Sequence, residues 1–574
     1  MSAAMPTLIP AESGPQRKRV GGLAAQAAIL LLAGFFVFAP ALHGAWLWDD
    51  GFTIKGNALM ADAGGWWKFW FAPPGPDYFP LTSTVEWVLW RVFGDHTLPY
   101  HLASLALHLF SAFLLWRLFA RLGLRLAWLG ALVFVVHPVV VESVAWISEL
   151  KNTVSLPLLL LSMLCWLRYD ERSRPIDLSA SLLLFLAAML AKTSVVMLPF
   201  VLLLYTWWKH GHLPRKLLIP LAQFFAIALV LGVLTVCFQQ QWAIGDEKID
   251  VGGLPTRIAG AGWAILFYLG KCLWPVGLQP AYAPWMFNDL SPLQFLPWAV
   301  LLAVLAWTWS RRKTWGRPVL FGLGFFVLNL APVLGFLPMS YMRIAWVADH
   351  FVYVPIIGLI GVAIGGAEIV GKILSGKVCV IAAALLIFAL ALQGRVYAGN
   401  FRNQEALWSY TLKSNPNSWL AGLDLGLTLN DAHRLPEAEA WLERSMQLHN
   451  DFYGTHVALA DILAQENRLN DAATQYRIAW RQHPESLEIH INYGNVLFRQ
   501  RDFHGAEQQY YLATLYHPDS IEAHYNLANM LLREGRRDEA IIQYEATLEL
   551  DPGFADARES LKNLRDAATV KKAP

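Results

Sequence analysis

The sequence predicts an all-α protein, in which a polytopic membrane helical bundle of about eleven spans is followed by a soluble α-solenoid. Apolar residues make up 56% of the 574 positions and charged residues only 15%, far from the composition of a soluble protein. Long apolar runs recur up to about residue 397, and beyond it the chain turns polar with a period of 34 residues. The net charge of +2 gives no indication of a nucleic-acid partner.

The N-terminal region joins a basic cluster at 17–19 to an apolar run over 23–42. A signal-peptide core is the alternative interpretation, but the run is long enough to span the hydrocarbon core and no small-residue cleavage pattern follows it. We therefore expect a cytoplasmic tail over residues 1–22 and then a first span. Asp49 and Asp50, the acids of "WLWDD", then lie at the outer rim of the membrane.

Ten further apolar segments are long enough, or nearly so, to cross, which places the membrane domain over residues 23–397. Basic loops follow the second, fourth and sixth spans, and the positive-inside rule assigns these loops to the cytoplasm. The ten spans are predicted near 99–119, 126–145, 153–168, 178–192, 194–208, 217–238, 294–310, 318–337, 347–366 and 378–397.

One apolar segment, 258–275, is interrupted by Gly262, Gly270 and Lys271, and whether it crosses decides the topology. The basic loop at 311–317 stays cytoplasmic only if this segment lies on the outer face without crossing. We expect that arrangement, which puts the C-terminal region outside. If the segment crossed, the C-terminal region would be cytoplasmic instead.

A 34-residue period organises the C-terminal region. Small residues recur where paired helices approach, tyrosines fill the gap between repeats, and a proline ends each second helix. The columns that show it are Pro484, Pro518 and Pro552, then Tyr476, Tyr510 and Tyr544, and then Ala438, Ala472, Ala506 and Ala540. Following a junction at 398–418, these columns predict a domain at 419–568, with repeats near 419–452, 453–486, 487–520 and 521–554 and a helical cap.

This pattern resembles the tetratricopeptide repeat, an array that binds partners and carries no chemistry of its own. A generic scaffold is the favoured interpretation. The alternative is that Asn492 and Asn526, which occupy one column, hold the backbone of an acceptor protein, as in the asparagine ladder of the O-GlcNAc transferase repeats, which they resemble. Ala458 interrupts that column.

Ionisable side chains at the predicted outer rim are functional candidates, because a charge at that depth is costly. Asp49 and Asp50 fit a divalent cation, or one of them fits a general base toward a hydroxyl, although two acids can also simply end a helix in water. Pro138 interrupts the third span beside His137. Glu142 lies on one face with Glu149, seven residues on, if that segment is helical.

Four cationic candidates complete the rim: Lys151, Lys192, Arg343 and His350. Each can neutralise a lipid phosphate, and Arg343 equally fits an interfacial anchor. A separate polar stripe on the second span must face the bundle, where hydrogen bonds between helices and substrate contacts are both possible. The stripe consists of His101, Ser104, His108 and Ser111.

Six segments in order carry a resemblance over nearly the whole chain: "WLWDDGFTIKGN", "YFPLTSTVEW", "HLASLALHL", "HPVVVESVAWISELKN", "AKTSVVMLP" and "VADHFVYVP". With the repeats they resemble the TMTC-type glycosyltransferases and their bacterial relatives, which are similar to the protein O-mannosyltransferases of the GT-C superfamily. The resemblance implies a polyprenyl-phosphate sugar as donor and inverting transfer to a hydroxyl, usually a protein Ser or Thr. It also implies a multi-pass protein of the bacterial inner membrane with periplasmic repeats.

The resemblance further implies site roles. Asp49 or Asp50 is the base, His137 and Glu142 form a second acidic site near the donor phosphate, and Lys192 and His350 are phosphate contacts. Family members often carry Arg at the positions of Phe79 and His350. Because this sequence lacks both arginines, we expect phosphate binding to depend more on the cations Lys151, Lys192 and Arg343.

A divalent metal stays open, as do the sugar and the acceptor. Two other functions also remain: a transferase or ligase acting on a glycan or lipid, and a membrane adaptor without activity that presents its repeats.

Overall fold

The computed structural model describes residues 16–71, 77–244, 249, 251–285, 291–373 and 376–570. Over these residues the chain is helical and has no strand, so the predicted all-α class is confirmed. The chain separates into two compact units, Met1–Ser414 and Asn415–Pro574. Most of the predicted tail at 1–22 lies outside the described residues.

Seventeen α-helices form the described part of the first unit, and each predicted span overlaps one of them, or two in the case of 126–145. They are α1 (Gln16–Phe38), α2 (Ala58–Ala61), α3 (Gly65–Phe71), α4 (Pro80–Phe93), α5 (Leu98–Arg121), α6 (Ala127–Val136), α7 (Val141–Ala145), α8 (Leu150–Arg172), α9 (Pro175–Ala191), α10 (Leu198–His210), α11 (Arg215–Phe238), α12 (Leu254–Leu273), α13 (Leu296–Ser310), α14 (Gly316–Leu330), α15 (Ile356–Val370), α16 (Gly376–Ala398) and α17 (Gln404–Ser414).

Among the described residues, six helical segments are long and apolar enough to cross a membrane, and the bent pair α6–α7 makes a seventh. The apolar part of α1 (Gly22–Phe38) and helices α9 and α15 are shorter. The count of eleven crossings therefore stays a prediction. The predicted break at Pro138 is confirmed, because α6 ends at Val136 and the chain continues at an angle of 58°.

Helix α12 makes contacts near both of its ends. Near its start, the Trp298 indole N–H donates to the carbonyl of Ile258 (2.6 Å). Near its last turn, the ring of His137, at the break after α6, lies 3.0 Å from the carbonyl of Cys272. The course of the 258–275 segment along the outer face stays a prediction. We call the end of the bundle that carries Asp49 the Asp49 end.

Two glycines bring α14 and α15 into close contact. A Cβ atom on Gly358 would overlap the carbonyl oxygen of Gly322, and one on Gly322 would lie 2.7 Å from the carbonyl oxygen of Gly358. Without a driving force from water, helices in a membrane associate through such backbone approach. The loop between α14 and α15 carries His350, so this packing also helps to position the Asp49 end.

The second unit is a regular array of helix pairs. The first helices of the pairs begin 34 residues apart and the second helices keep the same interval. The pairs are α18 (Trp419–Asp431) with α19 (Leu435–Leu448), α20 (Tyr453–Gln465) with α21 (Leu469–Gln482), α22 (Leu487–Arg499) with α23 (Phe503–Tyr516), and α24 (Ile521–Arg533) with α25 (Arg537–Leu550), followed by α26 (Ala555–Val570).

Periodic hydrogen bonds fasten the paired helices. The Tyr510 hydroxyl donates to Asn495 Oδ1 (2.7 Å), and the Tyr544 hydroxyl donates to Asn529 Oδ1 (2.6 Å) one repeat later. The ring of His490 lies 2.9 Å from Gln509 Oε1. The tyrosine column seen in the sequence thus bonds to first-helix side chains as well as filling space.

We expect Gly358→Ala to lower the stability of the first unit by about 1–3 kcal/mol, because α14 and α15 must move apart to admit the methyl group. Thermal unfolding of the full chain in detergent measures the change. Gly366→Ala on the same helix is the matched control, since its Cβ would meet nothing within 4 Å. Equal unfolding temperatures for the two variants would contradict the importance of this contact.

Candidate functional site

The turn after α1 is held by the buried carboxylate of Asp50. Its Oδ1 accepts hydrogen bonds from the backbone N–H and the hydroxyl of Ser148 (2.7 and 2.5 Å), and its Oδ2 accepts the N–H of Leu47 (2.8 Å). Burial raises the pKa of Asp50 to about 7. With three donors already bound, Asp50 serves as an anchor that ties this turn to the segment before α8.

Asp49 is the less engaged member of the acidic pair. Its Oδ1 is buried and has no hydrogen-bond partner among the described residues. Burial raises the pKa of Asp49 to about 6, and the charge of Lys151 opposes that rise. A carboxylate with a free oxygen and a pKa just below neutrality can accept a proton from a hydroxyl at physiological pH.

An aromatic cluster fixes the backbone that carries Asp49. Trp48 has a left-handed backbone conformation (φ 45°), which is unusual for a bulky residue. Its ring stacks on Trp146, with centroids 5.1 Å apart and planes 4° apart, and meets Trp408 of α17 edge to face. The backbone N–H of Ala45 also donates to the carbonyl of Arg402 (2.9 Å). The segment after the last predicted span therefore helps to hold this turn.

Glu149 lies at the centre of the charged cluster. Its Oε1 is 3.2 Å from the ammonium of Lys151, and its Oε2 is 3.0 Å from the ammonium of Lys192. The side-chain amide of Asn152 also donates to Oε2. Two ammonium groups thus share one carboxylate, while Asp49 and Asp77 also lie within electrostatic range of Lys151.

Glu142 and Glu149 do not share a helical face as predicted. Helix α7 ends at Ala145, Trp146 is extended, and Glu149 closes a 3₁₀ turn. The imidazole of His350 brings the two acids together instead, with Nδ1 2.7 Å from Glu142 Oε1 and Nε2 3.9 Å from Glu149 Oε1. Burial lowers the pKa of His350 to about 3, so the ring is neutral.

Further contacts fix the position of His350 and leave Glu142 one free atom. The hydroxyls of Tyr282 and Tyr397 donate to the buried carboxylate of Asp349 (2.7 and 3.1 Å), which immobilises the next residue. Glu142 Oε2 is buried and has no partner among the described residues. A ligand hydroxyl or phosphate would satisfy it only if it brought a proton to donate.

Two predicted phosphate contacts lie outside this cluster. The backbone N–H of Val139 donates to His137 Nδ1 (3.3 Å), so the proton is assigned to Nε2, which donates to the carbonyl of Cys272 (3.0 Å). Neither ring nitrogen is left for a phosphate, and His137 instead caps the helix break. Arg343 is exposed and donates to the carbonyls of Ser340 and Ala243 (3.2 and 3.3 Å).

Two members of the polar stripe on α5 bond to other segments. His108 Nδ1 lies 2.9 Å from the Tyr353 hydroxyl, and the hydroxyl of Ser104 lies 3.4 Å from that of Thr153. Ser111 bonds within α5, and both ring nitrogens of the buried His101 have no partner among the described residues, so both interpretations of the stripe stay open. In the second unit, Asn492 and Asn526 take equivalent positions on α22 and α24, and the Asn492 amide donates to Asp461 Oδ1 (3.4 Å).

From the sequence, Glu149 was predicted only to share a helical face with Glu142, and neither Ser148 nor Glu86 was predicted as a site residue. Glu86, on α4, is a buried carboxyl within electrostatic range of Asp49 and Lys151. The only signal for Glu86 in the sequence was an acidic residue near the end of the segment "YFPLTSTVEW". Among the described residues, no group of three metal-ligating side chains comes together.

Comparison with known proteins agrees with this division of the chain. Residues 75–237 match the family of dolichyl-phosphate-mannose-protein mannosyltransferases, and the match includes Glu142, Glu149 and Lys192. Residues 457–520 and 521–554 match tetratricopeptide repeats. No curated protein matches the chain. The first pair, α18 and α19, lies outside the matches but keeps the same spacing.

Solved structures resemble the second unit. YrrB, described as a tetratricopeptide-repeat protein with an unusual peptide-binding site, is 19% identical, with 29% of this chain and 85% of that chain covered and a TM-score of 0.27. MamA is 20% identical, with coverages of 26% and 89% and a TM-score of 0.25. A thermophilic tetratricopeptide-repeat protein of Thermus thermophilus, TTC0263, is 24% identical, with coverages of 31% and 94% and a TM-score of 0.24.

The chain therefore joins a multi-pass membrane unit, in which residues 75–237 are similar to dolichyl-phosphate-mannose-protein mannosyltransferases and indicate a membrane glycosyltransferase in general, to a C-terminal array of tetratricopeptide repeats.

Proposed function

We propose that the protein transfers a sugar from a polyprenyl-phosphate donor to a protein Ser or Thr hydroxyl on the outer side of a bacterial inner membrane. The observation that carries this proposal is the free carboxylate oxygen of Asp49 within electrostatic range of Lys151, which with Lys192 shares Glu149. A base and cations that can hold the leaving phosphate are the two things that displacement of a lipid phosphate requires.

The proposed step is a single displacement with inversion. Asp49 accepts the proton of the acceptor hydroxyl, whose oxygen forms the new bond to the anomeric carbon. The bond from that carbon to the phosphate oxygen breaks, and its electron pair leaves with the polyprenyl phosphate. Lys151 and Lys192 hold the departing phosphate, while Glu142 and His350 border the same site.

The membrane location follows from the donor, because a lipid-linked sugar reaches the enzyme at the rim of the bundle. The repeats supply the contact to the acceptor protein, for which Asn492 and Asn526 are the candidate amides. A metal is not needed for this step, since the two ammonium groups already compensate the charge of the leaving phosphate. Whether a divalent cation also binds is left to direct measurement.

We expect Asp49→Asn to lower sugar transfer by about 10²–10⁴-fold with little loss of stability, because it removes the base while the amide oxygen can still accept the hydrogen bond with Ser148. Asp50→Asn should instead lower the unfolding temperature as well as activity, since it disturbs three bonds. Membranes containing the full chain are given a radiolabelled polyprenyl-phosphate sugar pool, and label is counted in protein and in lipid-glycan fractions. Glu171→Gln, an exposed residue paired with Arg121, is the control.

The fraction that loses label decides among the functions. Loss from protein in Asp49→Asn supports the proposed acceptor, and loss from the glycan fraction alone supports a glycan-modifying or lipid-modifying enzyme. Equal label for wild type and Asp49→Asn would contradict the proposal and favour the adaptor.

We expect kcat/KM for transfer to fall as the pH drops through about 6, the raised pKa of Asp49, because a protonated carboxyl accepts no proton. Protonation of Asp50, with a pKa of about 7, weakens the turn over an overlapping range. The measurement is a pH profile of initial rates in proteoliposomes. A profile that stays flat from about pH 8 down to about pH 5 would exclude a carboxylate base.

A further inference from the structure

Glu86 is a buried acid that the proposed mechanism does not use. It lies in the middle of α4, is only 8% exposed, and has no hydrogen bond or ion pair with any described residue. Acids are rarely buried without a partner, because the carboxyl group loses most of its hydration. The oxygens of Glu86 are not among the fully buried atoms without a partner, so they keep some accessible surface. A buried carboxyl without a partner beside a candidate active site is therefore a candidate contact for a ligand.

The neighbours of α4 orient Glu86 toward the site. One turn before it, the Thr82 hydroxyl donates to the carbonyl of Ala191 (2.9 Å), next to Lys192. The residue before Glu86, Val85, packs on the cluster of Leu150 and Ala191. The residue after it, Trp87, donates from its indole N–H to the carbonyl of Asp62 (2.9 Å). Contacts on two faces of α4 leave its rotation fixed, with Glu86 on the side of Thr82.

The charges around Glu86 favour its neutral form. Burial raises the pKa of Glu86 to about 8; Asp49 and Asp50 add to the rise and Lys151 opposes it. Tyr100, on α5, is the other titratable group within electrostatic range. A neutral carboxyl keeps one O–H donor as well as its acceptor oxygens, so it can bind a hydroxyl group in either direction.

We propose that Glu86, as a neutral carboxylic acid, hydrogen-bonds a hydroxyl group of the substrate that is bound beside Asp49. This inference rests on the proposed sugar transfer. The hydroxyl belongs either to the sugar ring of the donor or to the acceptor, and the two sources have the same chemistry. Glu86 therefore positions a substrate and takes no proton from it.

The test compares two replacements of Glu86 in the full chain. Glu86→Gln keeps a neutral group with a donor and an acceptor, and should retain transfer within about threefold of wild type. Glu86→Leu removes both and should lower kcat/KM by about tenfold. A raised KM for the lipid-linked sugar assigns the hydroxyl to the donor, and a raised KM for the acceptor assigns it to the acceptor. Val92→Gln, on the exposed part of α4, is the control.

Two further readouts separate substrate binding from a structural role. Without substrates, Glu86→Leu should unfold at the same temperature as wild type or higher, because it replaces an unpaired buried carboxyl by an apolar group. Transfer by wild type should fall as the pH rises through about 8, where Glu86 ionises, and Glu86→Gln should lack that fall. A lower unfolding temperature for Glu86→Leu with an unchanged KM would mean that Glu86 is structural, and would overturn the inference.

Failure of this inference can be told apart from failure of the proposed function. If wild type transfers sugar, Asp49→Asn does not, and Glu86→Leu matches wild type in kcat/KM, the inference is wrong and the transferase stands. If Glu86→Gln is as impaired as Glu86→Leu, Glu86 acts as a charged group and the neutral role is also wrong. An inactive wild type would overturn both.

Discussion

The hydrogen bonds between Asp50 and Ser148 are the constraint on which the candidate site depends. They join the turn after α1 to the turn before α8, two segments 98 residues apart in sequence. These bonds hold the turn that contains Trp48 and so help to support its left-handed backbone. With Asp50 engaged, Asp49 is left with a free oxygen. Two adjacent identical residues thus acquire different roles through their partners alone.

The same turn brings the charged cluster into place. Ser148 precedes Glu149, so the segment that binds Asp50 also carries the carboxylate shared by Lys151 and Lys192. Burying these charges separately would cost several kcal/mol each, and pairing them recovers much of that cost. Asp49 lies within electrostatic range of Lys151 as well, so the charges of the proposed base and of the two ammonium groups depend on one another.

Local pattern and local composition were enough to predict most of the fold. Apolar length located the helices, Pro138 located the break, and a 34-residue period located the repeats, because each depends on nearby residues. The site was harder, since roles depend on contacts between distant segments. His137 looked free but binds two backbone groups, and the pairing of Glu149 required the positions of three helices. The choice between Asp49 and Asp50 required the position of Ser148.

The candidate residues share one local feature, which is that each lies where a helix ends or breaks. Asp49 follows α1, and Glu149 closes one 3₁₀ turn. Lys192 lies between α9 and a second 3₁₀ turn, and His350 lies in a third. Irregular backbone inside a membrane protein must be satisfied by the protein itself, so it is confined to buried segments or to the rim. At the Asp49 end, these breaks direct polar side chains inward. A continuous helix would present such side chains only at its regular spacing. The interruptions therefore provide the geometry of a site that regular spans could not form.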